Sequence, residues 1–173
     1  QVRLAVQPTG GSRVVCYCDS CRNFVTQLGA ANILDQWGGN DLYQVAPEAA
    51  HFVSGVDKLA WSKMTKKGPA RWFTSCCNTP LANTLQTRTI PFLTLQSAYI
   101  AEKDALGPIE IRVFGKKAKG RVPDTKGGQG RLLWEFAIRS LKSRFSGGWR
   151  QNPLFDNAGA PIAKQVPLPS KTT

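Results

Sequence analysis

Short runs of alternating apolar and polar residues dominate the chain, the period expected of half-buried strands. Val2-Arg3-Leu4-Ala5-Val6 predicts a first strand, followed by a turn at Pro8-Thr9-Gly10-Gly11. Val14-Val15 leads straight into a cysteine-rich segment, so the cysteines sit at a strand end. Asp19 is a suitable N-cap for a short helix over 21–28, which Gly29 closes. Phe24, Val25 and Leu28 recur at helical spacing in it and belong to the core. Asn32 to Asp35 and Asp41 to Val45 predict strands joined at Gly38-Gly39-Asn40. A second pair, Leu59 to Met64 and Ala70 to Thr74, flanks the basic turn Lys66-Lys67-Gly68-Pro69. The strongest helix signal covers 131–145. Leu133, Phe136, Ala137 and Leu141 mark its apolar face, widened by Trp134, Ile138 and Phe145.

Composition narrows the class. A 42% apolar and 20% charged chain of 173 residues suits a folded, mainly β protein built as one domain. That domain is expected over 1–146, with a basic extension from about residue 103 and a loosely ordered tail, 147–173. Residues 116–130 are Gly- and Lys-rich and predict an exposed, mobile loop. No apolar run approaches the roughly 20 residues of a membrane span, and no signal-peptide pattern is seen, so a cytoplasmic home is expected. The net charge of +12 favours anionic partners. Residues 103–150 hold 12 basic and 4 acidic side chains, the largest share of that excess.

The five cysteines are not spaced as a disulfide framework. Three fall in Cys16-Tyr17-Cys18-Asp19-Ser20-Cys21, and two are adjacent at Cys76-Cys77. A C-x-x-C turn presents two thiolates to one ion, and a Cys two residues earlier lies on the same side of an extended segment. Cys16, Cys18 and Cys21 can therefore converge on a metal, and an all-sulfur tetrahedral set favours Zn2+. The fourth position is open to Cys76, Cys77, His51 or an external ligand. His51, without a ligand-spaced neighbour, reads as an ordinary histidine.

Val15-Cys16-Tyr17-Cys18-Asp19-Ser20-Cys21-Arg22 resembles the C-H-C-x-x-C-R signature of the glutathione-dependent formaldehyde-activating (GFA) family. Downstream, Ser54-Gly55 to Trp61 resembles the strand that follows a Gly there. Arg71-Trp72-Phe73-Thr74-Ser75-Cys76-Cys77-Asn78-Thr79-Pro80-Leu81 is similar to its R-x-F-C-x-x-C-G-T-P-L segment. The likeness covers roughly residues 1–100. It implies a β-tent, a pair of small antiparallel sheets folded around zinc, to which the patterning adds the short helix after the cysteines and the C-terminal helix. It also implies a catalytic zinc on Cys16, Cys18 and Cys21. The family's second, structural zinc uses an N-terminal C-x-C with the later C-x-x-C. Here Thr74 replaces the first Cys of that later pair and the N-terminal pair is absent, while Cys77 stays in register as a candidate ligand.

The implied activity is that of a carbon–sulfur lyase on a thiol–aldehyde adduct of the S-hydroxymethylglutathione type. A small-molecule thiol such as glutathione would be the partner. Its sulfur would be the fourth zinc ligand, and Arg22 and Arg71 are the candidates for its carboxylates. Two alternatives stand beside it. If Cys76 or Cys77 closes the tetrahedron, the zinc is purely structural. The basic 103–150 segment, with Trp134, Phe145 and Trp149, could instead track nucleic acid, although aromatics on an apolar helix face read as core. Zinc-water hydrolysis is disfavoured because three thiolates reduce the Lewis acidity left for water.

Overall fold

The computed structural model describes residues 1–7, 10–125 and 127–169, so Pro8 and Thr9 of the expected first turn lie outside the described residues. The alternating segments do form strands. β1 (Arg3–Val6) and β4 (Ala50–Ser54) pair as a small antiparallel ribbon. The remaining strands are β2 (Ser12–Cys16), β3 (Asn40–Val45), β5 (Leu59–Lys63), β6 (Ala70–Thr74), β7 (Pro80–Thr84), β8 (Leu93–Gln96), β9 (Ile111–Val113) and β10 (Lys164–Gln165). They form one sheet in the order β10-β5-β6-β7-β8-β3-β2-β9. Its inner pairs are antiparallel, whereas the edge strands β9 and β10 join in parallel. The fold is mainly β, with two helices, α1 (Asp19–Gln27) and α2 (Gln129–Ser146).

The two faces of the sheet differ in chemistry. One carries Tyr43, Trp61, Trp72, Ala82, Leu93 and Leu95, and the β1–β4 ribbon packs over it through Leu4, Val6 and Phe52. On the other, Ser62, Arg71, Asn83, Thr94, Gln44 and Ser12 stand abreast across six strands. All six are buried. Such a row survives only if its members satisfy one another or find polar partners above them. Arg71 Nη1 donates to Asn83 Oδ1 at 2.9 Å, and Asn83 Nδ2 donates to Thr94 Oγ1 at 2.8 Å. At the far end Arg139 of α2 donates to Ser12 Oγ at 2.6 Å and to Gln44 Oε1, while Ser12 donates to Glu135.

That row inverts the expected orientation of α2. Its positions Glu135, Arg139 and Ser143, one turn apart, face the sheet, and Ser143 donates to Glu48 at 2.8 Å. Leu133, Trp134, Leu141 and Phe145, expected in the core, are 58%, 68%, 57% and 88% exposed. Of the expected apolar face, Phe136 makes an edge-on contact with Phe92 at 5.6 Å.

Three other expectations are corrected. Asn32 to Asp35 is not a strand: Ala31–Ile33 is a 3-10 turn. The Asp35 carboxylate takes the N–H groups of Trp37 and Gly39 at 2.9 and 2.7 Å, which folds the chain into a turn. The loop after β9 is largely exposed, but its first part is tied down by Lys119 N–H on Trp37 O at 2.9 Å and Arg22 on Lys117 O at 2.7 Å. Residues 147–169, the described part of the segment expected to be loosely ordered, pack onto the core. Leu154 and Phe155 are buried, Phe155 sits edge-on to Trp72 at 6.3 Å, and Trp61 Nε1 donates to Ala163 O at 3.1 Å. A Phe155→Ala substitution should therefore lower the unfolding free energy by about 3 kcal/mol. The check is a lower denaturant midpoint; an unchanged one would show that the segment is peripheral.

Candidate metal centre

β2 delivers Cys16 to the end of its strand, and the chain turns directly into α1. Cys18 takes the N-cap position that Asp19 was expected to fill, because its extended backbone lets Sγ accept from the Cys21 N–H at 3.4 Å. Gly29, at φ +77°, follows the helix in the left-handed conformation that suits a glycine. Phe24 and Val25 anchor the helix against Phe73 and Ala60 on the sheet. The outcome is that the sulfurs of Cys16, Cys18 and Cys21 all lie within 4.8 Å of one another. Cys16 and Cys21 are buried and Cys18 is partly exposed. This group could hold a metal ion: the donors are soft, convergent and close enough to share one centre.

The electrostatics are consistent with a shared charge. Cys16 donates to Cys18 across 3.4 Å. Bonds from Cys16 and then Cys21 pull the Cys18 thiol down to about 2. Cys16 is pushed up, first by its bond to Cys18, then by Cys21 and burial. For Cys21 the Cys16 bond lowers the pKa, but the bond to Cys18 and burial outweigh it. The cluster thus favours ionisation at Cys18 and opposes it at Cys16 and Cys21. Three thiolates around a divalent ion would carry a net charge of about −1. Arg71 supplies the opposite charge: it is buried, its Nη1 lies 3.6 Å from Cys21 Sγ, and its Nη2 donates to Ser20 Oγ at 2.9 Å.

The remaining sequence candidates divide. Arg71 belongs to the centre. Arg22 does not offer a substrate contact: its Nε donates to Gly38 O at 3.2 Å and its Nη2 to Tyr17 O and Lys117 O at 3.3 and 2.7 Å. It clamps the turns around the cluster. Cys77, carried as a possible ligand, is exposed in the β6–β7 turn and is not part of the three-sulfur group. Cys76 is also outside that group, as is His51, an exposed residue of β4. Among the described residues, no fourth Cys, His, Asp or Glu joins the cluster.

Sequence reasoning missed Asn40. It stands directly opposite Cys16 in the β2–β3 ladder, so both side chains leave the same face. Asn40 is fully buried, and neither its Oδ1 nor its Nδ2 has a partner among the described residues; Arg71 Nε is in the same condition. Unpaired buried polar groups beside the sulfurs mark a place built for polar company. No sequence signal marks it: Asn40 reads as the end of the Gly38-Gly39-Asn40 turn, and its place opposite Cys16 needs the pairing to be known.

Cys77 has a separate chemistry. Thr74 Oγ1 accepts the Thr79 N–H at 3.0 Å and shares a hydrogen bond with Cys77 Sγ, also at 3.0 Å. Bonds from Thr74, then Thr79 and Cys76, pull the Cys77 thiol down to about 7. Its alkylation by iodoacetamide should accordingly rise through about pH 7, since only the thiolate attacks. Thr74→Val should move that rise to higher pH, as followed by mass spectrometry across a pH series; an unshifted profile would remove the assigned cause.

No helix among the described residues is long and apolar enough to cross a membrane. No curated protein matches the chain. Residues 1–165 match a family of unknown function, DUF6151. With nearly the whole chain aligned and the three-cysteine centre within it, this protein belongs to that family.

Proposed function

We propose that this protein is a zinc-dependent carbon–sulfur lyase of GFA-like, β-tent type, acting in the cytoplasm on a thiol–aldehyde adduct. The observation that carries the reading is a set of three convergent cysteine sulfurs, two buried and one partly exposed, that no fourth protein ligand closes among the described residues. Three protein ligands with a free position are the catalytic arrangement, whereas structural sites have four. Cys16, Cys18 and Cys21 would hold the ion, and when bound it would supply a Lewis acid that stabilises a substrate thiolate. Arg71 balances the charge of the sulfurs and offers an unpaired Nε to an anionic group of the substrate. Ser20 accepts from Arg71, leaving its hydroxyl hydrogen for the adduct oxygen. Asn40 presents an amide from the strand facing Cys16, suited to orienting a peptide-like thiol.

Protein purified without added metal should contain about one zinc per chain. Cys16→Ser and Cys18→Ser should lose it, while Cys77→Ser keeps it. In the cobalt-substituted protein, glutathione should shift the visible bands, because an open position admits a new sulfur. Metal with no glutathione response would make the site structural; no metal would end the reading.

A second reading has its own observation. Trp134 and Phe145 are exposed on the segment that carries most of the positive charge, and Trp149 is flanked by Arg144, Arg150 and Arg88 at 4.7, 4.8 and 5.7 Å. Exposed aromatics among guanidinium groups form a surface for stacked bases. On that reading, a fluorescent single-stranded oligonucleotide binds with affinity that falls steeply with salt, and Trp134→Ala weakens it about tenfold. Absence of binding at low salt would dismiss it.

A further inference from the structure

The Cys76–Cys77 pair lies beside a chamber that the metal-centre reading does not use. A cavity of about 860 Å³ separates the β1–β4 ribbon from the apolar face of the large sheet. Leu4, Phe52, Leu81, Leu93, Leu95 and Leu154 contribute to its wall. That volume and apolar character suit a small molecule with a hydrocarbon body. Its polar lining includes Gln1, Arg3, Gln96 and Glu102. Cys77, Thr74 and Thr79 line one part, and Tyr99 is among the lining residues. Cys76 Sγ lies 3.6 Å from Cys77 Sγ and donates to it, and Cys77 Sγ also shares hydrogen bonds with the Thr74 and Thr79 hydroxyls. Both sulfurs are exposed, which leaves them open to attack on a molecule held in the chamber.

The position of Tyr99 decides which electrophile fits. Partial burial and then the charge of nearby Cys77 raise the pKa of this half-exposed phenol above its ordinary value. A nucleophilic sulfur and a phenolic donor on one apolar chamber form the pair that conjugate addition requires: one attacks carbon, the other stabilises the oxygen that gains charge.

We propose that this chamber is a second ligand site, in which Cys77 adds to a hydrophobic α,β-unsaturated aldehyde and Tyr99 hydrogen-bonds to its carbonyl oxygen. The Cys77 sulfur lone pair forms the new bond to the β-carbon. The carbon–carbon π pair moves toward the carbonyl oxygen to give an enolate, which accepts the Tyr99 hydrogen bond. Water then protonates the α-carbon and regenerates the aldehyde. The net change is addition of one thiol across the double bond, with no oxidant and no leaving group. The site lies on the sheet face opposite the polar row and does not depend on the metal-centre reading.

The test compares the labelling rates of the full chain by trans-2-nonenal and by propenal, each divided by its rate with free glutathione, with adducts located by peptide mass spectrometry. The chamber should favour the long chain by at least about tenfold in this normalised ratio, through burial of its methylenes. The adduct should map to Cys77 and vanish in Cys77→Ser, while Cys76→Ser keeps it. Tyr99→Phe should slow nonenal addition about tenfold yet leave iodoacetamide alkylation of Cys77 unchanged, which separates oxygen stabilisation from a general loss of thiol reactivity. A ratio near one, or an adduct on Cys16, Cys18 or Cys21, would overturn the proposal. Equal slowing of nonenal and iodoacetamide in Tyr99→Phe would overturn the role of Tyr99.

Discussion

A buried guanidinium organises this molecule. Arg71 sits second in a six-stranded row of polar side chains, hydrogen-bonded to Asn83 on the next strand and to Ser20 of α1, with Cys21 Sγ within reach. A cation at that depth is tolerated only where anionic and polar groups converge on it. The cysteine cluster supplies the negative charge and the row supplies the acceptors. Arg71 also stacks over the Phe24 ring at 5.6 Å, which joins the charge to the packing of α1. The sheet, the first helix and the sulfur centre are thus held by one group.

The polar row also explains the C-terminal half. A helix laid over an apolar sheet face would turn its leucines and aromatics inward. Over Ser12 and Gln44 the complementary surface is Glu135 and Arg139, so α2 docks through its charged side and leaves Trp134, Leu141 and Phe145 to solvent. Arg131 extends the network outward through ion pairs with Glu135 and Glu110. Two basic side chains of the helix, Arg131 and Arg139, are therefore engaged in holding it on the sheet, while Lys142 and Arg144 stay exposed beside its apolar residues.

The five cysteines fall into two environments because the sheet has two faces. Cys16, Cys18 and Cys21 gather on the polar side, under α1 and next to Arg71. Cys76 and Cys77 emerge where β6 turns into β7, where Asn78 adopts a left-handed backbone (φ 54°) and Thr74 and Thr79 point at the sulfur. The same element bears on both sites: Arg71 and Thr74, three residues apart in one strand, project to opposite faces.

How much of this was legible follows from what each signal measures. The strand alternation was read correctly for β1, β2, β3, β5 and β6, while Asn32 to Asp35 was misassigned and β4 was not foreseen, because period-two patterning is a local property of the chain. The three-cysteine cluster was legible for the same reason: within six residues, spacing alone brings the sulfurs together. What depends on non-local pairing was not. A polar residue at every second strand position usually means a solvent face, and Gln44, Asn83 and Thr94 give that signal, yet register aligns them into one buried row. The inversion of α2, the packing of Phe155 against Trp72 and the separation of Cys77 from the cluster all follow from which strands are neighbours. Sequence by itself determined the elements and the thiol-rich turn, since both are set by residues close along the chain. The tertiary structure alone decided which face each polar side chain serves, because burial is fixed by what covers a sheet and not by the sheet's own pattern.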